Sequence, residues 1–171
     1  MKLSIIGCPD RKRFRPYVKQ AILFYAKELM TSKMLDNIHI KVFFNKNIDN
    51  VYGYASVEDR TDSGKARDFL IEMNPKIGGR MILKSLAHEM VHIKQYAYGE
   101  TNDTLTQWKG MPMNVNLEDY WRQPWEVEAY GIEAGLFRKF VVQEKLWEVF
   151  NGIDDPDSPI EEVPIGWKIN T

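Results

Sequence analysis

RMILKSLAHEMVHIKQYAYG, running from Arg80 to Gly99, is the stretch that decides the reading of this chain. It follows Gly78-Gly79, which interrupts the preceding pattern, and it ends at a glycine suited to stopping a helix. At about 100° per residue, His92 lies roughly 40° from His88 on a helical wheel, with Ser85 and Gln95 nearby. Ile82, Leu86, Met90, Ile93 and Ala97 fall on the opposite side, roughly 120° to 200° away. One face can enter a core while the histidines stay free to line a cleft.

Within this stretch His88-Glu89-Met90-Val91-His92 has the pattern HExxH. Residues four apart on a helix sit about 5–6 Å from each other, so two imidazoles can converge on one ion. Neutral imidazole suits zinc, and a catalytic zinc needs a third protein ligand and one open position for water. Glu89 lies beside that position and can accept the water's proton, while the metal lowers the water's pKa and polarises a scissile carbonyl. With three histidines and thirteen glutamates in the chain, chance yields only about 0.004 such matches. Two surface histidines that merely share a helix are therefore the weaker reading.

HExxH followed by a second, carboxylate-bearing helix resembles the gluzincin peptidases, which implies a third metal ligand from a downstream Glu. The segment Pro124-Trp125-Glu126-Val127-Glu128-Ala129-Tyr130 offers two candidates. Ala129, Tyr130, Phe137, Phe140 and Val141 all fall within about 60° of Glu126, so Glu126 lies on an inward, apolar stripe. Glu128 points about 200° away, among Ile132, Gly135 and Lys139. An inward carboxylate needs a compensating charge, and a zinc ion would supply it. Glu126 is thus favoured over Glu128, with Glu133 placed to support the site from two turns further on. His39, between Ile38 and Ile40, reads as a residue on a sheet surface.

More narrowly, HEMVHIKQYAYGE with YWRQPWEVEAYG resembles SprT-like or phage-encoded metallopeptidase-like proteins of the HExxH…PWExEA type. The resemblance covers roughly residues 67 to 135. It implies a minimal zincin-like α+β fold, with a small sheet over the motif helix and an edge strand that binds extended peptide. By its position just ahead of that helix, the edge is expected at Arg67–Asn74.

Outward from these motifs, Val18, Ile22, Tyr25 and Leu29 recur with helical spacing between Phe14 and Met30. Strand-like stretches follow at Ile38–Asn45, Val51–Glu58 and Arg67–Asn74, separated by turn-like segments and suggesting a small, mostly antiparallel sheet. A second long helix is expected from Pro124, a residue suited to a first helical turn, to about Phe150. Trp108, Tyr120, Trp121 and Trp125 cluster around the second half of the site, where core packing is as good a reading as substrate contact. Tyr96 or Tyr120 could stabilise an oxyanion.

The 171 residues suit one domain, assigned to residues 1–150, with a Pro-rich acidic tail at 151–171. A net charge of -1 offers no global field for nucleic acid or an anionic membrane. The basic cluster Arg11, Lys12, Arg13, Arg15 and Lys19 reads as the solvated start of a helix. Cys8 is the only cysteine, so no intrachain disulfide can form. The apolar run before it is too short for a signal peptide, and no stretch approaches a membrane span. The expectation is a cytoplasmic protein, in the host cytoplasm if phage-encoded.

Together these readings predict a zinc metallopeptidase with one Zn2+ per chain, held by His88, His92 and Glu126, with Glu89 as general base and a peptide or protein as substrate. The alternatives are a catalytically silent zincin-fold module that binds a protein partner, or a SprT-like peptidase acting on DNA-associated proteins.

Overall fold

A computed structural model describes residues 1–48, 51–114 and 117–146. The tail at 151–171 and residues 147–150 of the second long helix expected to reach Phe150 lie outside the described residues, and residues 144–146 form a turn instead of continuing that helix. Four strands form one sheet: β1 (Lys2–Ile6), β2 (His39–Phe44), β3 (Gly53–Arg60) and β4 (Ala66–Met73). Between β1 and β2 come helix α1 (Arg15–Leu29) and one short turn of helix, α2 (Ser32–Leu35). The motif helix α3 (Gly79–Tyr98) follows β4, then a small hairpin of β5 (Gln107–Trp108) and β6 (Met111–Pro112). A 3-10 turn at Leu117–Arg122 leads into α4 (Pro124–Gln143).

The α+β class stands, and the sheet is mixed, in the order β1-β2-β4-β3. The expected antiparallel pattern holds only for β3 with β4; β1 with β2, and β2 with β4, run parallel. β4 runs parallel to β2 because β3 takes the outer edge and the chain returns between them. The first parallel pair comes from β1, read from sequence only as a short apolar run. Joined to β2 through α1, it makes a crossover unit, and crossovers pair strands in parallel.

The edge strand also differs from expectation. The strand at Arg67–Asn74 corresponds to β4, which is interior, whereas β3 is the edge nearest the motif helix. Burial explains this order. Phe69, Ile71 and Met73 of β4 are 1% exposed or less, as suits a strand flanked on both sides. β3 carries Tyr54, Ser56, Glu58, Asp59 and Arg60, a polar composition typical of an edge. The β3–β4 turn, with Gly64 at φ 76° and Gly64 N donating to Thr61 O at 2.7 Å, folds β4 back inside.

The core lies between one sheet face and the helices. Ile40, Val42 and Phe44 of β2 enter it, as their alternation predicts, against Ile82, Leu86, Met90 and Ile93 of α3 and Phe140 of α4. Tyr25 of α1 donates its hydroxyl to Leu83 O at 3.0 Å inside this layer. Each such large side chain contributes roughly 1.5–3 kcal/mol through burial, so the apolar face of α3 anchors the helix and leaves its other face to the cleft. Gly99, at φ 70°, ends α3 in the left-handed conformation that glycine adopts without steric cost. Among the described residues, no helix is long and apolar enough to cross a membrane.

Candidate metal centre

His88 and His92 project from the cleft face of α3, and Glu126 from the first turn of α4. His88 Nε2 lies 3.1 Å from His92 Nε2 and 3.3 Å from Glu126 Oε2. His92 Nε2 lies 3.4 Å from Glu126 Oε1. Ligand atoms about 2.0–2.1 Å from a tetrahedral zinc stand about 3.3–3.4 Å from one another, so the spacing suits a small divalent ion. Of the two carboxylates offered by the sequence, Glu126 joins the histidines. Glu128 instead meets Gln95, Lys94 and Lys109.

The hydrogen bonds behind the rings decide which nitrogen is free. His88 Nδ1 lies 2.8 Å from Glu133 Oε2. His92 Nδ1 lies 2.8 Å from Gln95 Oε1, and the Gln95 amide is oriented because its nitrogen donates to Trp125 O and Glu128 Oε2. Facing acceptors, each Nδ1 carries the proton in the neutral ring, so each Nε2 presents a lone pair. Two lone pairs and a carboxylate converging on one point call for a cation. That donor set fits a divalent metal ion.

The electrostatics point the same way. Burial alone would raise the Glu126 pKa, but hydrogen bonds with His88 and His92, the His92 charge and the Tyr120 hydroxyl hold it down at about 2. Burial alone would lower His88, yet its bonds to Glu126 and Glu133 push it up to about 9. His92 is raised too, its burial outweighed by Glu126 and Glu89. The site therefore attracts positive charge strongly, whether as protons or as a metal.

Glu89 is 5% exposed. Burial raises its pKa, opposed by the nearby His92 and His88. It borders a cleft of about 590 Å³ that also takes in Val51 to Ala55 of the β3 side, Met81, Leu105, Tyr120, Trp121 and Tyr130. Tyr130 packs at a tilt of 58° against His88 with ring centroids 4.6 Å apart, and Trp121 packs edge-on against Tyr130 at 5.9 Å. Both candidate oxyanion tyrosines line the cleft. Burial raises both, Tyr96 to about 12, so each keeps its proton. Tyr120 is additionally bonded to Glu126.

Of the remaining aromatics, Trp125 is 1% exposed and packs against Trp108, whereas Trp121 is open to the cleft. His39 sits away from the site, paired with Asp68 at 3.1 Å on the sheet, and the Arg11–Lys19 cluster is exposed at the start of α1. Sequence reasoning missed the part of Gln95, although its place three residues after His92 on the same helix was the available signal. It also missed the contribution of β3. No family model, curated protein or solved structure matches the chain.

Proposed function

We propose that the chain is a zinc-dependent metallopeptidase, with one zinc held by His88, His92 and Glu126. The observation that carries this reading is a buried carboxylate, Glu89, set beside a three-ligand cluster in an open cleft. A structural zinc site is closed by four protein ligands, whereas a catalytic one keeps a position free. Zinc is preferred over other divalent ions because two imidazoles and one carboxylate match its usual ligands.

When bound, the ion would supply Lewis-acid chemistry, polarising a carbonyl and lowering the pKa of water. The rest falls to the chain. Glu89 takes the proton of the attacking water on a carboxylate oxygen and returns it to the leaving amine. Glu133 and Gln95 hold the two imidazoles with Nε2 turned inward. Tyr96, kept protonated, is a donor for a developing oxyanion, and Tyr120 would serve only by turning its single proton away from Glu126. The substrate would be an extended peptide adding to β3, whose outer edge has no strand partner among the described residues. A cytoplasmic setting belongs to the same proposal and is supported by the lone, buried Cys8.

The test is zinc content by mass spectrometry together with hydrolysis of a mixed peptide pool, for wild type and Glu89→Gln. The reading requires about one zinc in both proteins and cleavage by wild type alone. A wild type that takes up zinc but cleaves nothing would leave a binding module as the better description.

A further inference from the structure

The loop after the motif helix holds two non-glycine residues in the left-handed region, Leu105 and Lys109, and of these Leu105 lines the cleft. Leu105 has φ 56°, in the left-handed region where the Cβ of an L-residue crowds the following carbonyl. Its neighbours impose this conformation. Leu105 N donates to Asn102 O at 3.0 Å, and Thr106 N donates to Asn102 Oδ1 at 2.9 Å. Asn102 Nδ2 donates to Thr106 Oγ1 at 2.9 Å, and the hydroxyls of Thr104 and Thr106 lie 3.0 Å apart. Asp103 pairs with Arg60, fastening the loop to the end of β3. Strain that the surroundings over-determine in this way tends to gather at functional sites.

Glycine or asparagine would adopt the same conformation at lower cost, so a leucine here needs a reason in its side chain. The hydrophobic core does not supply one. Leu105 is half-buried and is not among the described residues packed on the core cluster. It lines the metal cleft instead. The Arg60–Asp103 pair sets it toward the C-terminal end of α3, whereas Met81 and Lys84 line the other end.

We propose that Leu105 is a specificity-determining residue, the apolar wall of a subsite beside the metal centre that takes a bulky apolar side chain of the peptide. The proposal rests on the metallopeptidase reading. An aliphatic or aromatic side chain would lose water against Leu105 and the tyrosine rings that line the same cleft. An acidic one would lose its hydration against the same apolar wall. The hydrogen-bonded turn holds the wall at the cleft, so the selectivity is built into the unliganded protein.

The test uses the zinc-loaded full chain and short peptide hydroxamates that carry Leu, Phe, Ala or Glu next to the chelating group, with binding measured by calorimetry. Wild type should bind the Leu or Phe compound about tenfold more tightly than the Ala compound. Leu105→Gly and Leu105→Asn should reduce that preference to about twofold or less, while the melting temperature holds or rises by about 2–4 °C as strain is relieved. An unchanged preference in both variants would overturn the assignment. So would a fall in melting temperature in both, which would make Leu105 a packing residue. Zinc uptake, measured first on the same samples, separates the two levels. A wild type that takes up no zinc sinks the metallopeptidase reading and the subsite with it, and full zinc without any side-chain preference sinks the subsite alone.

Discussion

Gln95 Oε1 lies 2.8 Å from His92 Nδ1, and the nitrogen of the same buried amide donates to Glu128 Oε2 at 2.9 Å. Glu128 is held in turn by Lys94 at 3.2 Å and Lys109 at 3.0 Å. The carboxylate that does not join the metal cluster thus orients one of the cluster's imidazoles, His92, through an amide. Replacing Gln95 by Leu removes the acceptor that holds the His92 proton on Nδ1. Zinc affinity, measured by competition with a chelator, should fall about 10–100-fold. Equal affinity would show that His92 is oriented by packing alone.

Glu126 and Glu128 should separate cleanly on metal content. Glu126→Ala removes a cluster carboxylate and should lose the zinc, whereas Glu128→Ala should retain about one per chain with weakened affinity. Loss of zinc from Glu128→Ala alone would reverse the ligand assignment.

Glu89→Gln should keep the metal and lower the rate of peptide hydrolysis by about 10²–10⁴-fold, the usual contribution of a general base. Cleavage at the wild-type rate would remove Glu89 from the proposed mechanism.

The metal-free chain should be most stable between about pH 4.5 and 6.5. Glu126 is lowered from 4.5 to about 2 in the fold, so its stabilising contribution is present above pH 4.5 and is lost as pH falls toward 2. His88 is raised from 6.5 to about 9, so its contribution is full below pH 6.5 and is lost as pH rises through 9. Both shifts report largely the same pairing and count once. Melting temperatures in chelator should therefore decline on both sides of that window, and a flat profile from pH 6 to 9.5 would contradict the pairing.

Leu86→Ala probes the other face of the motif helix. Leu86 is fully buried, and its truncation should cost about 2–5 kcal/mol in chemical denaturation. A loss below about 1 kcal/mol would mean that the sheet and α3 can close over the cavity.

What local sequence determined is what helical and strand periods encode. The spacing of Ile82, Leu86, Met90 and Ile93 set the buried face of α3, and with it the side on which His88 and His92 emerge. The stripe through Glu126, Ala129, Phe137 and Phe140 turned Glu126 rather than Glu128 toward the histidines. These are properties of a single helix, so neighbouring residues suffice to define them.

Sheet order was different. β3 and β4 are both eight-residue stretches of mixed polarity, and position in the chain put the edge at the strand preceding α3. Pairing energies between distant segments instead placed the more apolar β4 inside, beside β2, and left β3 facing the cleft. The same holds for β1, whose five residues mean little until α1 returns the chain to lay β2 parallel to it. The pairing of His88 with Glu133, and the aim of Leu105 into the cleft, were likewise decided by tertiary structure, whereas Gln95 meets His92 within one helix. A hydrogen bond from α3 to Glu133 on α4, or a strained turn fastened to Arg60 at the end of β3, exists only once the elements have packed, because no local period records which surfaces will meet.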